Sequence, residues 1–438
     1  MNYQETIKYL YALLPVFHRE GAKAFKPNLD NTIALCAYLG NPQHKFRSIH
    51  IAGTNGKGST SHYMASILQS AGYNTGLYTS PHLKDYTERF RINGKSIEKA
   101  NIISFVETHR TFIETLRPSF FELSVAIAFD FFAQENVDIA VIEVGLGGRL
   151  DSTNIINPEL CMITNIGFDH MDLLGDTLPK IGAEKAGIIK PNIPVVISER
   201  HEQTADVFIK KAEESGAPIY FAEDFFTVEE SASANESLKL LVDVYNKDGQ
   251  QIYKELDSQL IGRYQLKNLT GVFEAIEILK TKGIEISNEA VSKGISEIVS
   301  LTGLKGRWQV LSEQPLTVCD TGHNEHGLKI ILNQIEKLFS NGHVSGLKHF
   351  VLGFVKDKNV VDILALFPKD AQYYFCQADS PRALDAHELA AIAASIGRSG
   401  KAFSDVNQAL DNARETATDN DFIYVGGSTF IVAELKEL

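Results

Sequence analysis

The sequence predicts an α/β protein of two domains, and three observations carry that prediction. Short β-branched runs recur between helical patterns, as expected of parallel strands covered by helices on both faces. Two of those runs lead directly into glycine-rich turns, at 53–58 and 145–148. The alternation is interrupted between about 219 and 260, where β segments follow one another, and then resumes.

The 438 residues include 42 Lys+Arg and 55 Asp+Glu, a formal net charge of −13. At roughly 150 residues per domain, that length suggests two or three domains. With 44% hydrophobic and 22% charged residues, a large core needs no disulfide or metal staple. The acidic balance argues against a nucleic-acid binder, which would show a basic patch or stripe. An anionic ligand would need cations placed locally against the protein's own field. Cys36, Cys161, Cys319 and Cys376 are scattered, with no C-x-x-C pair. They read as small core hydrophobes in a reduced cytosol. Met1 to Glu5 shows no positive segment leading into an apolar run, and the most apolar segment, 120–133, carries Glu122 and Asp130. The expectation is a cytoplasmic protein with neither a membrane nor a nucleic-acid partner.

Taken in order, residues 3–17 place Ile7, Leu10, Leu14 and Phe17 at helical spacing. A second helix is expected over 31–39, stopped by Gly40 and Pro42. Residues 48–52 read as a buried strand that runs into a glycine-rich turn and a helix over about 59–71. Residues 120–135 read as a helix. Residues 138–144 read as a strand entering the second glycine-rich loop, and 160–165 and 194–197 as further strands. Residues 226–228 and 238–245 read as β segments, with 246–249 as a turn. A hairpin-bearing appendage is therefore expected at about 219–260, with an exposed tip over 229–237. A helix follows over 266–281. After Leu304-Lys305-Gly306 a second α/β rhythm begins, with strands over 316–319, 349–352, 373–376 and 422–425 and helices including 327–339 and 387–396. The domains are placed at 1–302 and 303–438, the second smaller and Rossmann-like.

Gly53-Thr54-Asn55-Gly56-Lys57-Gly58-Ser59-Thr60 sits where a strand hands over to a helix. There, backbone N–H groups and the helix N-terminus can cradle phosphates. Lys57 would reach the outer phosphates, and Ser59 or Thr60 could meet Mg²⁺. The fit to G-x-x-x-x-G-K-[ST] is imperfect, because Gly58 separates Lys57 from Ser59. Glu143 ends a strand beside the second glycine-rich loop, where a carboxylate suits a hard cation. Taken alone, His170 reads as a surface or structural histidine and Lys185 as a solvated lysine.

The motif G-T-N-G-K-G-S-T resembles the phosphate loop of the folylpolyglutamate synthase family, a branch of the Mur ligase superfamily. Ordinary P-loop kinases and GTPases lack its extra glycine. E-V-G-L-G-G-R-L-D-S-T-N, D-H and E-K-A-G-I-I-K resemble three further signatures in family order. The resemblance implies that Glu143 and His170 coordinate Mg²⁺ and that Lys185 is carbamylated, since an ammonium has no acceptor for a metal. T-S-P-H-L resembles a mobile loop whose serine, Ser80, meets Mg²⁺. G-R-Y-Q-L-K-N implies that Asn268 contacts ATP. G-R-W-Q implies that Arg307 reaches the phosphates. D-T-G-H-N departs mildly from the family's D-G-A-H-N and implies nucleotide contacts for Asp320 and His323. G-G-S places Ser428 at the last strand-to-loop turn of the second domain. S-F-F-E resembles a segment near the pterin, with Phe121 and Glu122 as substrate residues. Leu150, Asp151, Ser152 and Arg89 are assigned to that site as well, although without the family Arg89 and Arg91 read as surface charges.

The implied reaction is ATP-dependent ligation. A carboxylate is phosphorylated to an acyl phosphate, and the amine of L-glutamate displaces phosphate to leave an amide. The implied acceptors are dihydropteroate and folate, and the implied cofactors are ATP and Mg²⁺, with a monovalent cation such as K⁺ left open. A monomer is expected. The alternatives are a monofunctional folylpolyglutamate synthase, a muramyl-type amino-acid ligase and a non-enzymatic nucleotide-binding module. The phosphate loop begins at Gly53, so no nucleotide-sugar domain of order 100 residues precedes it, which disfavours the muramyl type.

Overall fold

A computed structural model describes residues 1–15, 28–233, 238–356 and 359–438. Phe17 and residues 234–237 of the expected appendage tip lie outside them. The chain divides into two compact units. The first comprises Met1–Ala234, Lys239–Gln259 and Tyr264–Gly303, and the second Asn235–Leu238, Leu260–Arg263 and Leu304–Leu438.

The first unit is built on an eight-stranded sheet. Its strands are β1 (Arg47–Ala52), β2 (Thr75–Tyr78), β3 (Phe90–Ile92), β4 (Lys95–Ser96), β5 (Ile139–Glu143), β6 (Leu160–Ile163), β7 (Val195–Ile197) and β8 (Ile219–Phe221). The order is β4-β3-β2-β5-β1-β6-β7-β8. From β2 to β8 the strands run parallel, and β3 and β4 form an antiparallel edge. β1, β5 and β6 are buried on both faces, which is why they read as largely apolar segments; the buried His50 of β1 is paired with the Thr153 hydroxyl at 2.8 Å. The helix Phe120–Gln134 starts on a capping box in which Ser119 and Glu122 exchange side-chain-to-backbone hydrogen bonds. Its Leu123, Val125, Ile127, Phe129 and Phe132 fill the core on one face of the sheet.

Residues 219–221 correct the expected appendage, because they form β8 of the main sheet. The helix Glu202–Ser215 ends at Gly216 and returns the chain to the parallel edge. The appendage proper is a three-stranded antiparallel sheet, not a lone hairpin. It consists of β9 (Phe226–Glu230), β10 (Leu240–Asn246) and β11 (Gln251–Ser258) in the order β11-β10-β9. β11 escapes sequence reading because it is a largely exposed edge with Lys254, Glu255 and Asp257 along it.

The second unit has its own six-stranded sheet. Its strands are β12 (Gln309–Glu313), β13 (Leu316–Cys319), β14 (Lys348–Leu352), β15 (Gln372–Cys376), β16 (Gly400–Phe403) and β17 (Phe422–Gly426). The order is β12-β13-β17-β14-β15-β16, parallel apart from β12. Its core packs Phe350, Phe375, Phe422 and Tyr424 against Leu328, Ile335 and Leu389. Among the described residues, no helix is long and apolar enough to cross a membrane.

Candidate active site

The register places four strand ends level. Ile51 pairs with Glu143, Ala52 with Ile163, and Tyr78 with Ile142. The turns after β1, β2, β5 and β6 therefore share one carboxyl edge, where ligands of open parallel sheets bind. β1 delivers the chain into Gly53–Gly56, and the helix Lys57–Ser70 starts at once. A Cβ on Gly53 would lie 1.9 Å from Thr164 Oγ1. Gly56 holds φ +84°, and a Cβ there would lie 2.3 Å from Asn268 Oδ1. Only glycine lets these turns approach so closely. Thr164 donates its hydroxyl to Asn55 O at 2.6 Å, and Thr54 N donates to Asn165 O at 2.7 Å. The loop is thus held from below by the residues that follow β6. Ser59 Oγ accepts from Gln265 Nε2 at 3.2 Å, and Asn268 donates to Gln265 Oε1 at 2.7 Å. Gly58, Ser59 and Thr60 are buried on the first turn, and Thr60 Oγ1 has no hydrogen-bond partner among the described residues.

Two lysines converge on this loop. Lys57 folds back to donate to Gly53 O at 3.1 Å and Thr54 O at 3.3 Å. Lys185, in the last turn of the helix Leu178–Ala186, donates to the same Gly53 O at 2.8 Å. Both amines rest on backbone carbonyls, and among the described residues neither makes an ion pair with a carboxylate. Lys185 is only 3% exposed. Burial, and then the Lys57 charge, lower its pKa from 10.5 to about 7, against the opposing pull of Asp169 and Asp151. The Lys185 helix is seated on the loop after β5. Arg149 N donates to Glu184 O at 2.8 Å, and a Cβ on Gly148 would lie 2.9 Å from Lys185 O.

Glu143 ends β5 and is buried, and its Oε2 accepts from Ser80 N at 3.2 Å. The loop after β2 and the carboxylate are thereby joined. Asp151 organises the glycine-rich loop after β5. Its Oδ2 accepts from Leu146 N at 2.8 Å, and its Oδ1 from Thr153 N at 3.0 Å and from the Thr153 hydroxyl. Burial raises its pKa against those hydrogen bonds. Leu150 is half-buried in this loop, and Ser152 is buried at the start of the turn Ser152–Ile155. Phe121 lies over the loop, so that a Cβ on Gly145 would meet its ring at 2.3 Å. Glu122 is committed to its capping box and to Asn31, whose Nδ2 donates at 3.2 Å.

Arg89 and Arg91 are not surface charges, being 2% and 7% exposed. Arg89 donates to His82 Nδ1 at 2.9 Å and stands over the Phe120 ring, 5.6 Å from its centroid. His170 follows β6 with φ +50° and a side chain 37% exposed, beside Asp169.

The second unit carries the remaining candidates at its own carboxyl edge, where Cys319 pairs with Val425. Asp320 Oδ2 accepts from Trp308 N and Oδ1 from Gly322 N, both at 2.7 Å. Arg307 donates to Gly306 O at 3.2 Å and to the Thr321 hydroxyl. His323 Nδ1 lies 3.0 Å from Thr321 O. Ser428 caps the helix Thr429–Glu434, accepting from Phe430 N at 3.2 Å.

Residues 51–276 match the Mur ligase middle domain, and residues 306–429 match the Mur ligase glutamate ligase domain. A dihydrofolate synthase/folylpolyglutamate synthase of Bacillus subtilis is 33% identical over 94% of this chain and 95% of its own length. The chain belongs to the folylpolyglutamate synthase family of Mur ligases. It is an ATP-dependent ligase that forms amide bonds. The Escherichia coli enzyme of the same name is 34% identical over 89% of this chain and 85% of its own. The structure of E. coli FolC in complex with DHPP and ADP superposes with a TM-score of 0.85 at 30% identity, over 100% of this chain and 97% of that one. A bifunctional folylpolyglutamate synthase/dihydrofolate synthase solved with Mn, AMPPNP and L-glutamate superposes at 0.82 with 28% identity, covering 99% and 97%.

The donor chemistry of this family member fits a hard divalent cation at the carboxyl edge. No three His, Cys, Asp or Glu among the described residues cluster as a metal cage. Mg²⁺ seldom needs one, since one or two carboxylates, hydroxyls and substrate phosphates satisfy it. Glu143, joined to the Ser80 loop, and the hydroxyls of the first helical turn are donors of that kind. Sequence reasoning missed Thr164 and Asn165 because they follow β6 without any motif of their own, and it took from the D-H pair only His170, leaving Asp169 without a role. The signal of the first two was position, directly after a buried parallel strand next to β1.

Proposed function

We propose that this ligase adds L-glutamate to dihydropteroate and to reduced folates, consuming ATP through an acyl phosphate on the acceptor carboxylate. The observation that carries this reading is the Lys57 amine, which rests on the Gly53 and Thr54 carbonyls at the helix N-terminus and, among the described residues, is bridged to no carboxylate. Such an arrangement is complementary to phosphate oxygens, and relatives of the same size and fold are solved with ADP, DHPP and L-glutamate.

In this reading the backbone of Gly53–Gly58 and the helix N-terminus orient the triphosphate. Lys57 leaves its carbonyls to balance charge on the transferred phosphoryl group. Arg307 contributes the second cation, and Asn268, Asp320 and His323 contact the nucleotide. Ser59, Ser80, Glu143, His170 and Lys185 hold Mg²⁺, which supplies charge neutralisation on the phosphate oxygens when bound. Arg89, Phe121, Glu122, Leu150, Asp151 and Ser152 line the acceptor site, and Ser428 serves glutamate.

Lys185 would serve as a carbamate. Its neutral amine adds to the carbon of CO₂, an N–C bond forms, and one proton leaves. The product is an oxygen donor that keeps one N–H for Gly53 O and places an anion beside Lys57. The addition needs a neutral amine, and a pKa lowered to about 7 supplies a substantial fraction of it near neutral pH. The four unpaired cysteines are all buried, which favours a reducing cytoplasm, and a monomer is the expected state.

Purified protein with Mg-ATP and glutamate should release phosphate and lengthen both dihydropteroate and tetrahydrofolate by glutamate. Extension of tetrahydrofolate alone would narrow the enzyme to the polyglutamylating reaction. An amide product with neither acceptor would sink the reading. Replacing K⁺ by Na⁺ in that assay tests the accessory ion, and light scattering should return the mass of one chain.

A further inference from the structure

The geometry points to the phosphate-loop helix as the mounting of the chain's passages between the two units, with His62 and Tyr63 as positioning residues for ligation. Three of those passages fall at Gln259/Leu260, Arg263/Tyr264 and Gly303/Leu304. Within two residues of each stands a side chain bound to the helix Lys57–Ser70. Ser258 Oγ and Tyr63 OH lie 2.8 Å apart. Gln265 Nε2 donates to Ser59 Oγ at 3.2 Å. His62 Nδ1 lies 2.8 Å from Thr302 Oγ1. The Thr302 hydroxyl donates to Ile298 O at 2.6 Å, so its one hydrogen is in use and His62 must donate from Nδ1.

All six partners are buried. A polar group in such a place costs free energy unless it is paired, and an apolar side chain would pack there without that constraint. What the pairs add is direction, because each fixes one passage relative to one helical turn. Ser59, His62 and Ser66 recur at helical spacing, and Ser66 also donates its hydroxyl, to Gly294 O at 2.5 Å. The N-terminus of this same helix carries Lys57. Occupation of the loop by phosphate is therefore transmitted along one rigid rod to all three passages. The inference rests on reading the loop as the ATP site.

The test uses the full chain and hydrogen exchange, with ADP and Mg²⁺ as the probe. In the wild type, ADP should slow exchange in peptides spanning 258–266 and 300–306. Thr302→Val should lose the second protection and keep the first. Tyr63→Phe should lose protection around 258 and keep that at 300–306, and Thr302→Ser should restore the wild-type pattern. ADP affinity should stay within about twofold in all three variants, because the loop is untouched. kcat should fall by about three- to tenfold, the scale of one lost hydrogen bond, with KM for ATP little changed. Should one variant fail to fold, the other still separates its passage from the rest. ADP binding without protection at either passage in the wild type overturns the inference and leaves the ligase reading standing. So does unaltered protection in both hydroxyl-deletion variants. Failure of ADP to bind at all would overturn the reading of the loop itself.

Discussion

At the carboxyl edge of the first sheet, two lysines lean on one backbone carbonyl. At the carboxyl edge of the second sheet, the charged groups hold their own turn. Asp320 fastens the N–H groups of Trp308 and Gly322, and Arg307 fastens Gly306 and Thr321. Both edges are parallel-sheet turns entering helices, so topology alone does not separate them. The difference is electrostatic. A cation resting on neutral carbonyls gains when an anion arrives, whereas the Asp320 carboxylate, already accepting two N–H groups, repels an anion and can meet a ligand only through a donor of that ligand. This shows how a protein of net charge −13 can take several anions. The cations needed are few, local and not neutralised in advance.

The largest expected effect is at Lys57. Lys57→Met should lower kcat/KM by about 10²–10³, the scale of one lost electrostatic contact to a transition state. Loss of less than tenfold would break the comparison at its strongest point. Lys185→Met should cost nearly as much, and its pH dependence sharpens the case. The fraction of neutral Lys185 rises through about pH 7, so bicarbonate should stimulate activity increasingly between about pH 6 and 8. Intact mass should then show one added CO₂ that the variant lacks. The folded pKa lies below the ordinary lysine value of 10.5, so between the two values the unfolded chain binds more protons. Stability contributed at this site therefore rises with pH across that window and is absent below it. Lys185→Met should remove that slope in denaturant titrations.

Two glycines extend the contrast. Gly56→Ala and Gly427→Ala both force an L-residue into left-handed backbone, at φ +84° and φ +90°, a cost of about 1–2 kcal/mol each. The new methyl groups meet different obstacles. At Gly56 it meets the tip of Asn268 at 2.3 Å, a side chain that can swing away and, with it, the nucleotide contact proposed for it. At Gly427 it meets the backbone oxygen of Gly353 at 2.9 Å, which cannot. Gly56→Ala should weaken ADP binding more than it lowers the melting temperature, and Gly427→Ala should do the reverse. Calorimetry on both variants decides the matter.

Much of this was legible in the sequence. β1, β5 and β6 are buried on both faces and read as largely apolar segments, and the glycine-rich turns after β1 and β5 announce the site. β2, β3 and β4 were not legible: β6 and β7 are as short as β2 and β3 but wholly apolar, whereas β2 carries Thr75 and Gly76, β3 carries Arg91 and β4 is only Lys95-Ser96. Arg89 and Arg91 misled because Arg89 ends the short helical turn Tyr86–Arg89 and Arg91 lies in the unread β3, so both look like surface charges until the fold shows them buried against aromatic rings and a backbone carbonyl. The meeting of Lys57 and Lys185 on one oxygen was hidden differently. It is a tertiary coincidence between a loop and the last turn of a distant helix, and no local pattern encodes it.

The smallest effect distinguishes two roles for Asp320. The family resemblance assigns it to the nucleotide, and the geometry gives both its oxygens to the turn that presents Trp308 and Gly322. Asparagine keeps one carbonyl oxygen, so in Asp320→Asn one of the two N–H groups loses its acceptor and meets an amide N–H instead. An unsatisfied buried donor costs about 1–3 kcal/mol. If holding the turn is the residue's work, the melting transition of the second unit should shift down while ADP affinity stays within about threefold. If the carboxylate contacts the nucleotide, affinity should fall by more than that with the transition little moved. The second outcome would mean that the second edge, like the first, keeps charge available for ligand, and the contrast between the two edges would then hold only in the sign of the charge.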